Sequence, residues 1–160
     1  MRMAGIIKNS VVNGIGIRDV IFLQGCPHHC KGCHNPQTWD NLGGVERTYQ
    51  ELVDMFDGSS NNITISGGEP LLYLWDDLLP LLCEFKQQGK SIWLYTGYRY
   101  EDLELTELLM LSEFVEVLVD GRFEIDKKDL TLRFRGSSNQ RLIDLPKSVK
   151  EGKVILWEEC

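Results

Sequence analysis

Four short apolar runs alternate with segments of helical periodicity, and this alternation limits the fold more than any other feature of the chain. The runs are Val20-Ile21-Phe22-Leu23, Ile63-Thr64-Ile65, Ile92-Trp93-Leu94-Tyr95 and Val115-Glu116-Val117-Leu118-Val119, each short and apolar enough for a buried strand. Between the first two, Thr48 followed by Glu51 makes a capping box; Tyr49, Leu52, Val53 and Phe56 share one apolar face, and Gly58 is a stop signal. Asp76 or Asp77 is placed to cap a second helix through Leu78, Leu79, Leu82 and Phe85 to about Gly89, and Glu101 to Leu111 reads as a third. The order β-α-β-α-β-α-β implies parallel strands joined by right-handed crossovers. A complete eightfold barrel takes about 250 residues, and this chain has 160. The expected architecture is therefore α/β, an incomplete (partial) β/α barrel or a strongly twisted open parallel sheet, in a single domain over residues 1–160 with one side uncovered. After Phe123 the pattern is less regular, with Gly136-Ser137-Ser138-Asn139 as a loop and Lys153 to Trp157 as a last strand.

Composition narrows the classes of partner. A formal net charge of −7 without a local Lys/Arg cluster opposes binding to nucleic acid. No 18-residue uncharged apolar stretch occurs, and the N-terminus has neither the apolar region nor the cleavage site of a signal peptide. The expectation is a cytoplasmic protein with no membrane partner. Five cysteines are an odd number for a disulfide framework, and three of them fall within eight residues, which suits a reducing compartment and a metal site.

Those three lie in Cys26-Pro27-His28-His29-Cys30-Lys31-Gly32-Cys33, at spacings of four and three, directly after the first apolar run. Iron–sulfur clusters are held by cysteine thiolates, so three nearby thiols on a cubane leave one iron open to substrate. Two other readings stand beside this one: a structural Cys₃His zinc site completed by His28, His29 or His34, and an electron-transfer cluster with Cys83 or Cys160 as fourth ligand. Cys83 also reads as a core residue on an apolar helix, and Cys160 as a terminal residue. Of the histidines, His34 is best placed to touch a cofactor, while His28 and His29 read as a solvated loop.

Ser66-Gly67-Gly68-Glu69-Pro70 follows the second run. Paired glycines let backbone approach a ligand, and Glu69 offers a carboxylate to an ammonium group, although Gly-Gly before Pro is also an ordinary turn. Thr96-Gly97-Tyr98 follows the third run and Asp120-Gly121 the fourth. In parallel α/β folds ligands bind at the carboxyl ends of the strands, so a single site explains all four segments. Asp120-Gly121 has an equal reading as a hairpin turn to Arg122–Ile125, and Tyr98 and Tyr100 as packing residues. No hydrolase triad, phosphate loop or His-Glu-x-x-His motif occurs.

Cys-x3-Cys-x2-Cys after one strand and Gly-Gly-Glu-Pro after the next resemble the radical S-adenosylmethionine superfamily. A narrower likeness runs through Asn13-Gly14-Ile15-Gly16-Ile17-Arg18, Gly25-Cys26, Cys30 to Pro36, Thr38-Trp39, Trp93 to Tyr98, Val119 to Phe123 and Arg135 to Arg141. These segments resemble the anaerobic ribonucleoside-triphosphate reductase-activating family of glycyl-radical activases. The resemblance implies a [4Fe–4S] cluster on Cys26, Cys30 and Cys33, with S-adenosyl-L-methionine chelating the open iron. Gly67, Gly68 and Glu69 would meet its amino end, and Gly32 and His34 would lie along its adenine; no catalytic residue is implied beyond cluster and cofactor. It further implies reductive cleavage to a 5′-deoxyadenosyl radical, hydrogen abstraction from a glycine of the reductase large subunit, and a low-potential electron donor such as flavodoxin or ferredoxin. Gly68→Val is then expected to block the cofactor while sparing the cluster. Arg122, Phe123 and the loop Arg135 to Arg141 are expected to contact the partner through the uncovered side. The alternatives are an activase of the pyruvate formate-lyase type, whose larger forms this length disfavours, and a zinc-stabilised interaction module without catalysis.

Overall fold

In the computed structural model, which describes residues 1–159, all four apolar runs become strands of one sheet. They are β2 (Arg18–Leu23), β4 (Asn62–Gly67), β5 (Ile92–Tyr95) and β6 (Val117–Asp120). They pair in parallel in that order, with Ile21 opposite Ile65, Ile65 opposite Leu94, and Leu94 opposite Leu118. Helices α1 (Tyr49–Asp54), α2 (Leu79–Gln87) and α3 (Leu105–Ser112) supply the crossovers.

Strands taken in sequence with crossovers of one hand carry all their helices on one face, and the packing follows that rule. Successive strand residues point to opposite faces. Ile21, Leu23, Ile65, Leu94 and Leu118 pack with Leu52, Leu82, Phe85 and Leu111 of the helices and with Phe56 in the turn after α1. Trp93, Val117 and Val119 turn the other way and meet Ile15, Phe134, Leu142 and Trp157, with no helix among them. The result is a partial β/α barrel with helices outside and an inner face left to loops.

Both flanks of the sheet are antiparallel, which the apolar runs did not suggest. β1 (Arg2–Ser10) pairs with β2 and carries the short β3 (Val45–Glu46) on its far side, while β7 (Arg141–Asp144) pairs with β6 and leads into α4 (Leu145–Glu151). Irregular register between Met3 and Gly5 and between Ile7 and Ser10 breaks the period-two signal of β1. Two expectations fail at the other flank. The strand over Lys153 to Trp157 is only a bridge from Leu156 to Ile143. Asp120-Gly121 is not a hairpin turn, because the chain leaves the sheet there and β7 takes the place beside β6.

The Thr48 capping box forms as expected: Thr48 Oγ1 accepts from Glu51 N at 3.1 Å and Glu51 Oε2 from Thr48 N at 2.8 Å. Neither Asp76 nor Asp77 caps α2. The chain enters that helix through a 3₁₀ turn, Pro70–Tyr73, and a π turn, Leu74–Leu78, and Asp77 instead pairs with the Met1 ammonium at 3.0 Å. The third helical segment divides into a 3₁₀ turn, Tyr100–Asp102, and α3.

Arg141 ties β7 to the strand ends. Its guanidinium donates to the buried Asp120 carboxylate at 3.0 and 2.5 Å and to Glu101 at 3.0 and 2.7 Å. Hydrogen bonding to Arg141 lowers the Glu101 carboxyl from 4.5 to about 2. A depressed carboxyl contributes stability that is complete above its unfolded value and is lost as pH falls toward the folded one. Arg141→Met strands the buried Asp120 charge and should destabilise the fold by about 3 kcal/mol in urea unfolding at neutral pH. The same variant should lose less stability than the parent between about pH 4.5 and 2.

Candidate active site

The carboxyl ends of β2, β4, β5 and β6 open into one cavity of about 630 Å³ on the inner face, within the range of roughly 300–1,000 Å³ usual for small-molecule sites. Cys26, Cys30, Cys33, His34, Gly67, Gly68, Thr96, Gly97 and Gly121 all line it. The four strand-end segments therefore meet at one place.

The cysteine loop is fastened at its base. Gly25 N donates to Thr38 O at 2.7 Å and Cys26 N to Trp39 O at 3.3 Å, while His29 stacks on Trp39 at 4.7 Å. Within the loop, Cys33 N bonds Cys30 O at 3.1 Å, and Asn35 N donates to Cys33 Sγ at 3.3 Å. Such N–H···S bonds suit a thiolate. Burial raises the Cys26 and Cys30 thiols above the ordinary value, so iron uptake must displace their protons. Among the described residues no three His, Cys, Asp or Glu side chains close around a single-ion position; a cubane instead asks its thiolates to stand around corners. Three thiols on the wall of a cavity whose floor is glycine backbone fit a cluster with a small ligand beside it.

Not every expected site residue faces the cavity. Gly32 does not line it: the residue has φ +77° in the turn between Cys30 and Cys33, where an added Cβ would lie 2.7 Å from Ile125 Cδ1. His34 does line it, with its ring tilted against Phe123 at 5.0 Å. Cys83 lies on α2, on the opposite face of the sheet, where Gln87 donates to its sulfur at 3.4 Å; Cys160 is outside the described residues.

Glu69 departs furthest from expectation. It is fully buried and absent from the cavity wall. Oε1 accepts from Leu71 N at 3.0 Å and Thr96 Oγ1 at 2.8 Å, while Oε2 meets Gly97 N at 2.8 Å and His28 Nε2 at 2.7 Å. A carboxylate with that many donors is already satisfied, so direct capture of an ammonium group is not the role its geometry supports. His28, expected in a solvated loop, has a side chain only 3% exposed. Its ring also stands edge-on to Tyr98 at 4.6 Å.

The segment 129–136 forms the outer wall. Tyr95 Oη donates to Phe134 O at 2.5 Å, and the Phe134 ring meets Trp93 edge-on at 5.3 Å. These contacts hold Phe134 at φ +64°, a left-handed backbone costing about 1–2 kcal/mol. Burial holds the Tyr95 hydroxyl well above its ordinary value, keeping it a donor. Beside this wall, Arg122, Phe123, Arg135 and Gln140 line the cavity, and Gln140 and Asn139 bond back to Gly121 and Arg122.

A family model described as a 4Fe-4S single cluster domain matches residues 12–143. Among curated proteins, the anaerobic ribonucleoside-triphosphate reductase-activating protein of Haemophilus influenzae is 37% identical over 81% of this chain and 89% of its own length. Proteins of the same name are 38% identical in Escherichia coli K12, over 81% of this chain and 90% of theirs, and in Enterobacteria phage T4, over 82% and 86%. Among solved structures, QueE from Escherichia coli superposes with a TM-score of 0.51 at 23% identity, over 60% of this chain and 51% of that chain, a likeness of fold alone.

Proposed function

Because the chain belongs to the anaerobic ribonucleoside-triphosphate reductase-activating protein family, we propose that it generates the glycyl radical of the anaerobic reductase large subunit, using S-adenosylmethionine and a [4Fe–4S] cluster held by Cys26, Cys30 and Cys33. The observation that carries this reading is the meeting of three thiols and the Gly67–Gly68 backbone in one cavity at the carboxyl ends of four parallel strands. When bound, the cluster supplies the single electron that cleaves S-adenosylmethionine reductively, and the outcome is a glycyl radical on the partner.

The residues of the chain orient and shield. Gly67 and Gly68 offer bare backbone on the cavity floor for the amino-acid end of the cofactor, and His34 beside Phe123 offers a flat edge for its adenine. The wall held by Tyr95 and Trp93 covers one side of the cavity. Arg122, Phe123 and the loop Arg135 to Arg141 form the rim a folded partner would meet, and the cavity opens on the side without helices. A flavodoxin or ferredoxin is the class of donor able to deliver a low-potential electron. The mode of action groups the chain with glycyl-radical activases of the pyruvate formate-lyase type, although its partner is the nucleotide reductase.

Anaerobically reconstituted, reduced protein mixed with S-adenosylmethionine and the reductase should yield a glycyl radical by electron paramagnetic resonance, and none should form if either is omitted. A cluster-loaded protein that gives no radical on the reductase but does so on a formate-lyase-type partner would reassign the substrate.

A further inference from the structure

We propose that His28 and Glu69 are a positioning pair, locking the middle of the cysteine loop to the ends of β4 and β5 so that cluster and cofactor meet in a fixed relation. The inference rests on the reading that Cys26, Cys30 and Cys33 hold the cluster. His28 lies between the first two of these in sequence, yet its side chain turns away from solvent and bonds Glu69 Oε2 at 2.7 Å. The same carboxylate holds Leu71 N, Thr96 Oγ1 and Gly97 N. One buried group thus connects the cysteine loop, the turn after β4 and the turn after β5.

The imidazole is held on its other sides as well. Tyr98 stands edge-on to it at 4.6 Å, and Gly97 comes so close that an added Cβ would lie 2.4 Å from His28 Cδ2. Glycine at position 97 is therefore the residue that leaves room for the ring. An ionised carboxylate only accepts hydrogen bonds, so the His28 tautomer that fits this pair is the one with its proton on Nε2. Glu69 stands behind the cavity wall and His28 borders it, so the pair acts through the backbone it holds rather than by binding the cofactor. Groups that orient metal ligands typically change affinity or activity by about 10–100-fold when removed.

The test uses His28→Leu, which keeps bulk and removes the donor, and His28→Gln, whose side-chain amide can return an N–H to about the position of Nε2. Each full-length protein is reconstituted anaerobically and checked for folding by circular dichroism. Iron per chain, the resonance spectrum of the reduced cluster with and without S-adenosylmethionine, and the affinity for S-adenosylmethionine are then measured. The Leu variant should stay folded yet show an altered cluster spectrum and about tenfold weaker binding, and the Gln variant should recover most of both. If the Leu variant keeps the parental spectrum and affinity, or if the Gln variant is as impaired as the Leu variant, the pair has no positioning role. Failure of the parent protein itself to assemble a cluster or respond to S-adenosylmethionine would instead overturn the cluster reading.

Discussion

Replacing Cys26, Cys30 or Cys33 by Ala should abolish the intact four-iron cluster in each case, while Cys83→Ala leaves iron and sulfide near the parental level. The three thiols share the wall of one cavity, and Cys83 sits on α2 beyond the sheet, so no rearrangement short of unfolding brings it to the loop. Magnitude separates loss of cluster from loss of fold. Removing one sulfur from this loop should change stability on the order of 1 kcal/mol, because the base of the loop is held through backbone bonds from Gly25 and Cys26 to Thr38 and Trp39 that do not involve sulfur. Losing one of only three thiolates, by contrast, leaves two irons of the cubane without a protein ligand. Iron and sulfide analysis after anaerobic reconstitution, together with a thermal melt of each apo-protein, measures the two effects separately. A Cys30→Ala protein that held four irons and four sulfides per chain would show that the ligand set is wrong.

What could be read from the chain depended on whether the signal was local. The strands β2, β4, β5 and β6 were legible because both faces are covered where they pass through the core, which makes them continuous apolar runs, and the strand-end motifs then fell at one edge by topology alone. β1 was not legible, since its irregular register disrupts the alternation and several of its residues are exposed. Side-chain direction was the larger loss. Nothing near Glu69 in sequence says that its carboxylate will turn inward to Thr96 and His28, because those partners arrive from other strand ends. His28 beside His29 looks like a polar loop for the same reason, although only His29 is exposed. One usable hint was Gly97: a glycine in the turn just past a buried strand often marks a close approach, and here the approaching group is the imidazole.

Gly68→Val should cost the protein both its cluster and much of its stability, rather than block S-adenosylmethionine alone as the cofactor-contact expectation holds. A Cβ at position 68 would lie 2.2 Å from the carbonyl oxygen of Gly25 and 3.0 Å from that of Thr38, both backbone atoms at the base of the cysteine loop. Gly67, at φ +112°, is equally confined, with its Cβ position 2.3 Å from Leu23 N and O. The two glycines therefore let β4 pass against the end of β2, where Gly68 N bonds Leu23 O at 2.8 Å and Glu69 N bonds Gly25 O at 2.7 Å. Backbone cannot move aside as a side chain can. Overpacking that repacking relieves costs about 1–3 kcal/mol, and here the relief would have to break those bonds, so at least about 3 kcal/mol is expected. Gly97→Ala makes the contrast: the atoms nearest its Cβ belong to the His28 ring, a side chain that can shift where backbone cannot, so the fold should lose about 1 kcal/mol and keep its iron, while the displaced ring loses its bond to Glu69 and the cluster spectrum changes as in His28→Leu. Thermal melts and iron content of the two variants, measured side by side, decide the matter. A Gly68→Val protein with parental melting temperature and full cluster, impaired only in binding S-adenosylmethionine, would refute the packing role and leave cofactor contact as the glycine's sole role.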